Sequence, residues 1–355
     1  SLLMACGTTG FGFRRGEVWA THVAWSGDHV AYVERLPEGA GWHGGPVIGG
    51  GELLAPGEGR LAPGESYTTP WLLATYSDQG LDGATARIHR WLLARPHHPD
   101  PVRRPRPLVL NTWEAVYFGH DLDRLTELAE RAASIGVERV VLDDGWFGGR
   151  RHDRAGLGDW QVSPEMWPGG LRPLADRVRA LGMDFGLWFE PEMLNVDSDV
   201  VRAHPDWLLG GEQRDWRHQQ VLDLTAPGAW DYLLGAISAL VEEIGIAFIK
   251  WDHNRDLHGT GAHAQTLALY RLLDALRERH PGLEIESCAS GGARVDLGIL
   301  ERTDRVWASD TNDPLERQLI QRWTASLLPP ELVGSHVGGP VSHTTARTAS
   351  LGLRC

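Results

Sequence analysis

The chain has 355 residues and a formal net charge of −13, with 47 acidic against 34 basic residues. That balance excludes a nucleic-acid face, which needs clustered positive charge. With no run of about 18 apolar residues, a helical membrane partner is not expected either.

The opening residues, SLLMACGTTG, lack the basic and long apolar regions of a signal peptide. They begin abruptly, and the expectation is a piece of a longer chain. The three cysteines, Cys6, Cys288 and Cys355, have no metal-ligand spacing and no even disulfide framework. A reducing cytoplasm is the expected location.

Residues 1–80 read as β-structure. Glu17–Trp25, His29–Glu34 and Tyr67–Thr75 are short β-branched or aromatic segments. The stretches PEGAGWHGGPVIGGG and LLAPGEGRLAPGES between them read as turns. Asp82–Leu93 has helical spacing, with Ile88, Trp91 and Leu92 on one face. The proline-dense ARPHHPDPVRRPRP follows. The expected division is a β-domain with a linking helix at 1–93, a linker at 94–107 and a second domain at 108–355.

After Pro107, apolar strands alternate with amphipathic helices. The strands are Leu108–Thr112, Arg139–Leu142, Asp184–Phe189, Ala247–Trp251, Leu283–Ser287, Arg305–Ala308 and Glu331–Ser335. The helices between them include Leu122–Ile135, Leu171–Leu181, Ala229–Ile244 and Ala264–Arg279. Such alternation implies a parallel sheet covered on both faces. Nearly every strand ends in groups suited to chemistry: Asn111 to Glu114, Asp143 and Asp144, Trp188 to Glu192, Lys250 to Asp252, Ser287 to Gly292, Ser309 and Asp310, and Ser335 and His336. A (β/α)8 TIM barrel gathers all its strand ends around one mouth, whereas a doubly wound sheet uses mainly its switch point. No GxGxxG follows the first strand. The fold class is therefore α/β, a (β/α)8-type barrel. Seven strands are legible, and the expectation is that the eighth is missing through truncation.

Lys250 is the only lysine among the 34 basic residues. A compact ammonium is kept where the wide arginine fork would not serve. Lys250 and Asp252 are two apart on a strand and share a face, so the cation favours an ionised Asp252. Carboxylates and tryptophans at a barrel mouth suggest carbohydrate chemistry. Glycoside cleavage uses two carboxyl groups, and position alone offers Glu114, Asp143 or Asp144, Glu190 or Glu192, Asp252, and Asp310 or Asp313. The pair Glu190 and Glu192 shares a face and rivals Asp252; support of the barrel mouth is the expectation for both. Gly148-Gly149-Arg150-Arg151 resembles no phosphate loop. His97, His98 and the other histidines show no metal spacing, so no metal or other cofactor is expected. Trp167 is expected to pack.

The ordered motifs LVLNTWEA, VLDDGWF, GLWFEPEM, FIKWDHNR, ESCASGGARVD and WASDTNDPLERQ resemble the α-galactosidases of glycoside hydrolase family 36. The resemblance spans residues 108–340, and AWSGDHVAYVE resembles the end of that family's N-terminal β-sandwich domain. It implies a retaining hydrolase acting on terminal α-D-galactosides such as melibiose and raffinose-type sugars. Asp252 would be the nucleophile and Asp310 the acid/base, with Asp313 as local competitor. Asp143 and Asp144 would bind the C4 and C6 hydroxyls. Lys250, Arg217, Asn254, Cys288 and Gly291 would hold the remaining hydroxyls, and Trp113 and Trp188 would form apolar walls. A retaining pair stands about 5–5.5 Å apart. The resemblance also implies a homo-oligomer, often a tetramer. An α-galactosyl transferase using the same residues, an N-acetylgalactosamine-specific relative, and a non-catalytic sugar-binding remnant are the alternatives.

Overall fold

The computed structural model describes residues 3–37, 45–95, 105–257, 259 and 261–338. Pro96 to Arg104, with His97 and His98, lies outside the described residues, as does Cys355. The chain forms two compact units. One comprises Ser1–Pro105, Gly259–Thr266 and Gly291–Cys355, and the other Arg106–His258 and Leu267–Ser290.

The first unit opens with strands β1 (Met4–Gly7), β2 (Val18–Val23), β3 (His29–Arg35), β4 (Pro46–Glu52) and β5 (Leu72–Ser77). An antiparallel sheet takes the order β1-β2-β5, while β3 and β4 form a hairpin. Strand β4 lies in a glycine-rich stretch whose composition suggests turns. Its pairing follows from space: a side chain at Gly49 would come within 2.6 Å of the Tyr32 hydroxyl across the hairpin. Helix α1 (Gly80–Leu93) buries Leu81, Ala84, Ile88 and Leu92, one face at helical spacing.

In the second unit, β6 (Val109–Asn111), β7 (Arg139–Leu142) and β8 (Asp184–Phe189) precede a short antiparallel pair, β9 (Met193–Leu194) and β10 (Gln220–Val221). Strands β11 (Phe248–Trp251) and β12 (Glu284–Ser287) follow. All but the short pair run parallel, in the order β12-β11-β8-β7-β6. The first unit adds a parallel pair, β13 (Arg305–Trp307) and β14 (Val333–Gly334).

Helices alternate with these strands: α2 (Trp113–Val116), α3 (Leu122–Ser134), α4 (Arg172–Ala180), α5 (Asp199–Ala203), α6 (Pro227–Leu240), α7 (Ala262–Arg279), α8 (Leu297–Leu300) and α9 (Pro314–Thr324). The sequence pattern runs one helix from Ala229 to Ile244. In the structure α6 gives way at Val241 to a π-helical turn ending at Gly245, whose positive φ of 75° stops it. Seven parallel strands of an incomplete (β/α)8 barrel thus lie among the described residues.

Two features of the core position the strand ends. At the strand starts, the buried Arg139 guanidinium reaches Glu284 at 2.8 Å and Asp184 at 3.1 Å, and lies 4.7 Å from the Phe248 ring centre. The buried cation is thus met by two carboxylates, one of them, Asp184, reaching in from an exposed position. Near the strand ends, Trp146, Phe147, Trp160 and Phe189 are each at most 2% exposed and pack ring against ring. The Trp146 indole N–H donates to the Trp188 carbonyl at 3.0 Å, fixing the last turn of β8. Among the described residues, no helix is long and apolar enough to cross a membrane.

Candidate active site

Parallel register puts Trp188, Lys250 and Glu286 in one row across β8, β11 and β12. The ladder continues one step past the strands: Asp252 N–H donates to the Phe189 carbonyl and Cys288 N–H to the Trp251 carbonyl, each at 2.7 Å. Backbone hydrogen bonding thus fixes where Asp252 and Cys288 stand.

Asp252 is buried at 8% exposure and surrounded by donors. Its Oδ2 accepts from Asn254 Nδ2 at 2.7 Å and from Trp188 Nε1 at 3.1 Å, and its Oδ1 from His253 N–H at 2.8 Å. Burial alone would push this carboxyl up. The Lys250 ammonium, the hydrogen bonds from Asn254 and His253, and the Cys288 thiol outweigh it and hold Asp252 below the ordinary carboxylate range. Trp188, expected from sequence as an apolar wall, therefore has a polar contact as well.

Lys250 Nζ lies 3.1 Å from Asp143 Oδ2, which also accepts from Asn111 Nδ2 at 2.5 Å. Asp143 Oδ1 accepts from the Asp144 N–H at 2.9 Å. The Asp144 carboxylate turns to Arg150, which grips it through Nε at 2.9 Å and Nη2 at 2.8 Å. The adjacent aspartates thus differ: Asp143 faces the lysine, and Asp144 sits in a buried, forked ion pair.

Behind these groups lies a second polar layer. Glu190 Oε1 accepts from Asn254 N–H at 2.7 Å and Oε2 from Gln219 Nε2 at 2.9 Å. Burial, with the Asp252 charge adding to it, pushes Glu190 well above the ordinary carboxylate range. Both Glu190 oxygens are taken up by donors, one of them on Asn254, which also donates to Asp252. Glu192 accepts from the Trp251 indole at 2.8 Å.

Arg217 is exposed but anchored, donating to Asn254 Oδ1 at 2.8 Å and Ser290 Oγ at 3.3 Å. It and His218 hold positive φ angles of 55° and 59°, although neither is glycine. The turn is braced from the interior: Arg255 donates to the carbonyls of Arg214 and Gln219, and Asn195 donates to that of His218. Trp113 is half-buried, with its ring edge-on to Tyr117 and Phe118 at 5.2 Å each. Glu114 is exposed.

The first unit holds Gly291, Asp310 and Asp313. Gly291 has φ +80°, and a side chain there would come within 2.8 Å of the Asp310 backbone nitrogen. Asp310 is exposed, and its Oδ1 accepts from Trp307 Nε1 at 2.7 Å. Asp313 is buried as the N-cap of α9, accepting from Leu315 N–H at 3.0 Å and Glu316 N–H at 3.1 Å.

Sequence reasoning did not identify Arg150, Gln219, Trp307 or Arg317 as contributors. Arg150 had a local signal, six residues from its partner, but no periodicity marks that spacing as a contact. Among the described residues, no group of three or more His, Cys, Asp or Glu could hold a metal ion.

Comparison with known proteins agrees with this architecture. A family profile described as Melibiase matches residues 66–355, and one described as the glycosyl hydrolase family 36 N-terminal domain matches residues 1–62. An α-galactosidase of Escherichia coli is 46% identical over 361 residues, covering 98% of this chain and 50% of that protein. The crystal structure of the family 36 α-galactosidase AgaA from Geobacillus stearothermophilus has a TM-score of 0.91 at 35% identity, covering all of this chain and 51% of its own. Variants of AgaA have been solved in complex with raffinose and with stachyose, each with a TM-score of 0.91. The chain spans about half the length of the curated relatives it matches. It belongs to the Melibiase family, glycoside hydrolase family 36.

Proposed function

We propose that the protein is a retaining α-galactosidase acting on terminal α-D-galactosides, melibiose and raffinose-type oligosaccharides among them. The single observation that carries this reading is the set of donors around the buried Asp252 carboxyl, Asn254 Nδ2, Trp188 Nε1 and the His253 N–H, which with the Lys250 ammonium favour its charged form. A desolvated anion with its charge preserved is a nucleophile in waiting.

In the first step an Asp252 oxygen bonds to the anomeric carbon while the glycosidic C–O bond breaks. Asp310 gives its proton to the departing oxygen. In the second step the Asp310 carboxylate takes a proton from water as the water oxygen bonds to the anomeric carbon and the ester bond to Asp252 breaks, which regenerates both aspartates with net retention. Asp313 is the poorer acid/base because it is buried and its Oδ1 caps α9.

The rest of the site follows the family assignment. Asp143 and Asp144 take the C4 and C6 hydroxyls; each carboxyl has two acceptor oxygens with lone pairs beyond those used by its present partners. Lys250, Arg217, Asn254, Cys288 and Gly291 serve the remaining hydroxyls, and Trp113 and Trp188 bound the pocket. Residues 1–93 supply the end of the N-terminal β-sandwich domain, 94–107 the linker and 108–355 the barrel. The reading extends to a cytoplasmic homo-oligomer, a tetramer.

Proton NMR of 4-nitrophenyl α-galactoside hydrolysis tests the stereochemistry. α-Galactose should appear first and mutarotate later; β-galactose as the first anomer would exclude retention. Asp310→Asn should lower kcat/KM for melibiose by roughly 10²- to 10⁴-fold. Asp313→Asn keeps an oxygen for the cap and should stay within about threefold. Inverted effects would transfer the acid/base role to Asp313.

A further inference from the structure

Asp310 follows a strand end and is exposed. An exposed carboxyl samples several rotamers, whereas an acid catalyst needs its proton aimed at one oxygen. The surroundings restrict that freedom. Trp307 Nε1 donates to Asp310 Oδ1 at 2.7 Å, which fixes the direction of the carboxyl. The indole plane is itself held: His336 stacks on it at 4.8 Å and 27°, and the Arg317 guanidinium lies 5.9 Å from its centre.

Arg317 is 3% exposed and also fixes the main chain on both sides of Asp310. Its Nη1 donates to the Ser309 carbonyl at 3.1 Å and the Thr311 carbonyl at 3.2 Å. On the other side of this loop the chain passes too close for any side chain. A Cβ at Gly292 would stand 2.0 Å from the Ala308 carbonyl oxygen. Backbone and side chain of Asp310 are therefore pinned by separate groups.

We infer that Trp307, seated by Arg317, is a positioning residue that orients and electrostatically supports Asp310 as the general acid. This rests on the acid/base reading of Asp310. As Asp310 gives its proton to the leaving group, negative charge grows on a carboxylate already aligned with an N–H donor. The hydrogen bond is stronger in the transition state than in the ground state, so its loss appears in turnover more than in binding.

The leaving group provides the test. Melibiose departs as a sugar alkoxide unless protonated, whereas fluoride leaves α-galactosyl fluoride with little need for an acid. The purified protein and its Trp307→Phe and Asp310→Ala variants are assayed on both substrates through kcat/KM, which reports the first chemical step. Phenylalanine keeps an aromatic ring against His336 and removes only the donor. Trp307→Phe should lose about 10- to 30-fold on melibiose, mainly in kcat, and stay within about twofold on the fluoride. Retained fluoride hydrolysis also shows that the variant is folded. Equal losses on both substrates, or no loss on melibiose, would overturn the positioning role. Asp310→Ala separates this from failure of the underlying reading. If it too fails to discriminate between the substrates, Asp310 is not the acid. If it discriminates and Trp307→Phe does not, Asp310 stands and Trp307 has no part in its action.

Discussion

Asp252→Ala is expected to reduce hydrolysis of aryl α-galactosides by roughly 10⁴-fold or more, because the variant lacks the carboxylate that forms the covalent intermediate. Azide should restore turnover and release β-galactosyl azide. The variant leaves a small space beside the Lys250 ammonium and the donors of Trp188, Asn254 and His253 that now surround the carboxylate. A small anion fits that space and attacks from the face the aspartate occupied, so its product carries β configuration. Gas or liquid chromatography of the reaction mixture identifies it. Undiminished hydrolysis, or azide product of α configuration, would remove Asp252 from the nucleophile's role.

The second large effect is expected at Lys250. Its ammonium is 3.1 Å from Asp143 and is the foremost influence opposing the burial of Asp252. Asp252 is held below its ordinary value in the folded protein, so it stays ionised to lower pH than a free carboxyl. The acid limb of kcat/KM is expected to lie correspondingly lower. Lys250→Ala removes the cation, and the limb should move to higher pH. Activity at neutral pH should fall about 10- to 100-fold, the scale of one lost charged hydrogen bond. Lys250→Arg keeps the charge and should leave the acid limb in place. Its planar fork is wider than the ammonium, and activity should fall nearly as far as in the alanine variant. The two substitutions thus separate charge from shape. Near-wild-type rates with arginine would refute the steric argument, and an unmoved acid limb with alanine would refute the electrostatic one.

Much of this architecture is legible in local pattern. Arg139–Leu142 and Asp184–Phe189 begin and end as strands where the alternation of apolar runs and helices places them. The other parallel strands are one to three residues shorter than the segments read from the sequence, although main-chain hydrogen bonds at Leu108, Thr112 and Ala247 carry on past the strand bounds. The i, i+2 relation of Lys250 and Asp252 needs only the pleat of a strand. Strand β4 is hidden because its glycine-rich composition reads as a turn, while at Gly49 the facing Tyr32 hydroxyl leaves no room for a side chain.

The site's supporting contacts are hidden for a similar reason. Trp188 meets Asp252 across 64 residues, and so does Glu190 the Asn254 N–H. Neither pairing leaves a periodic mark. Residue type is also ambiguous: an indole beside a sugar site suggests a wall, yet its N–H can serve a carboxylate. The division of labour between Asp143 and Asp144 depends on the side chain of Arg150. That between Asp310 and Asp313 depends on where α9 begins, which decides which carboxyl becomes a cap.

The central claim is that Asp252 forms a covalent galactosyl ester. A fluorinated galactoside whose ester turns over slowly traps that intermediate, and mass spectrometry of the digested protein locates the label. A single galactosyl adduct is expected on the peptide containing Asp252, lost when Asp252 is replaced by alanine. A label on Glu190 or another carboxyl, or complete turnover with no trapped species, would contradict it.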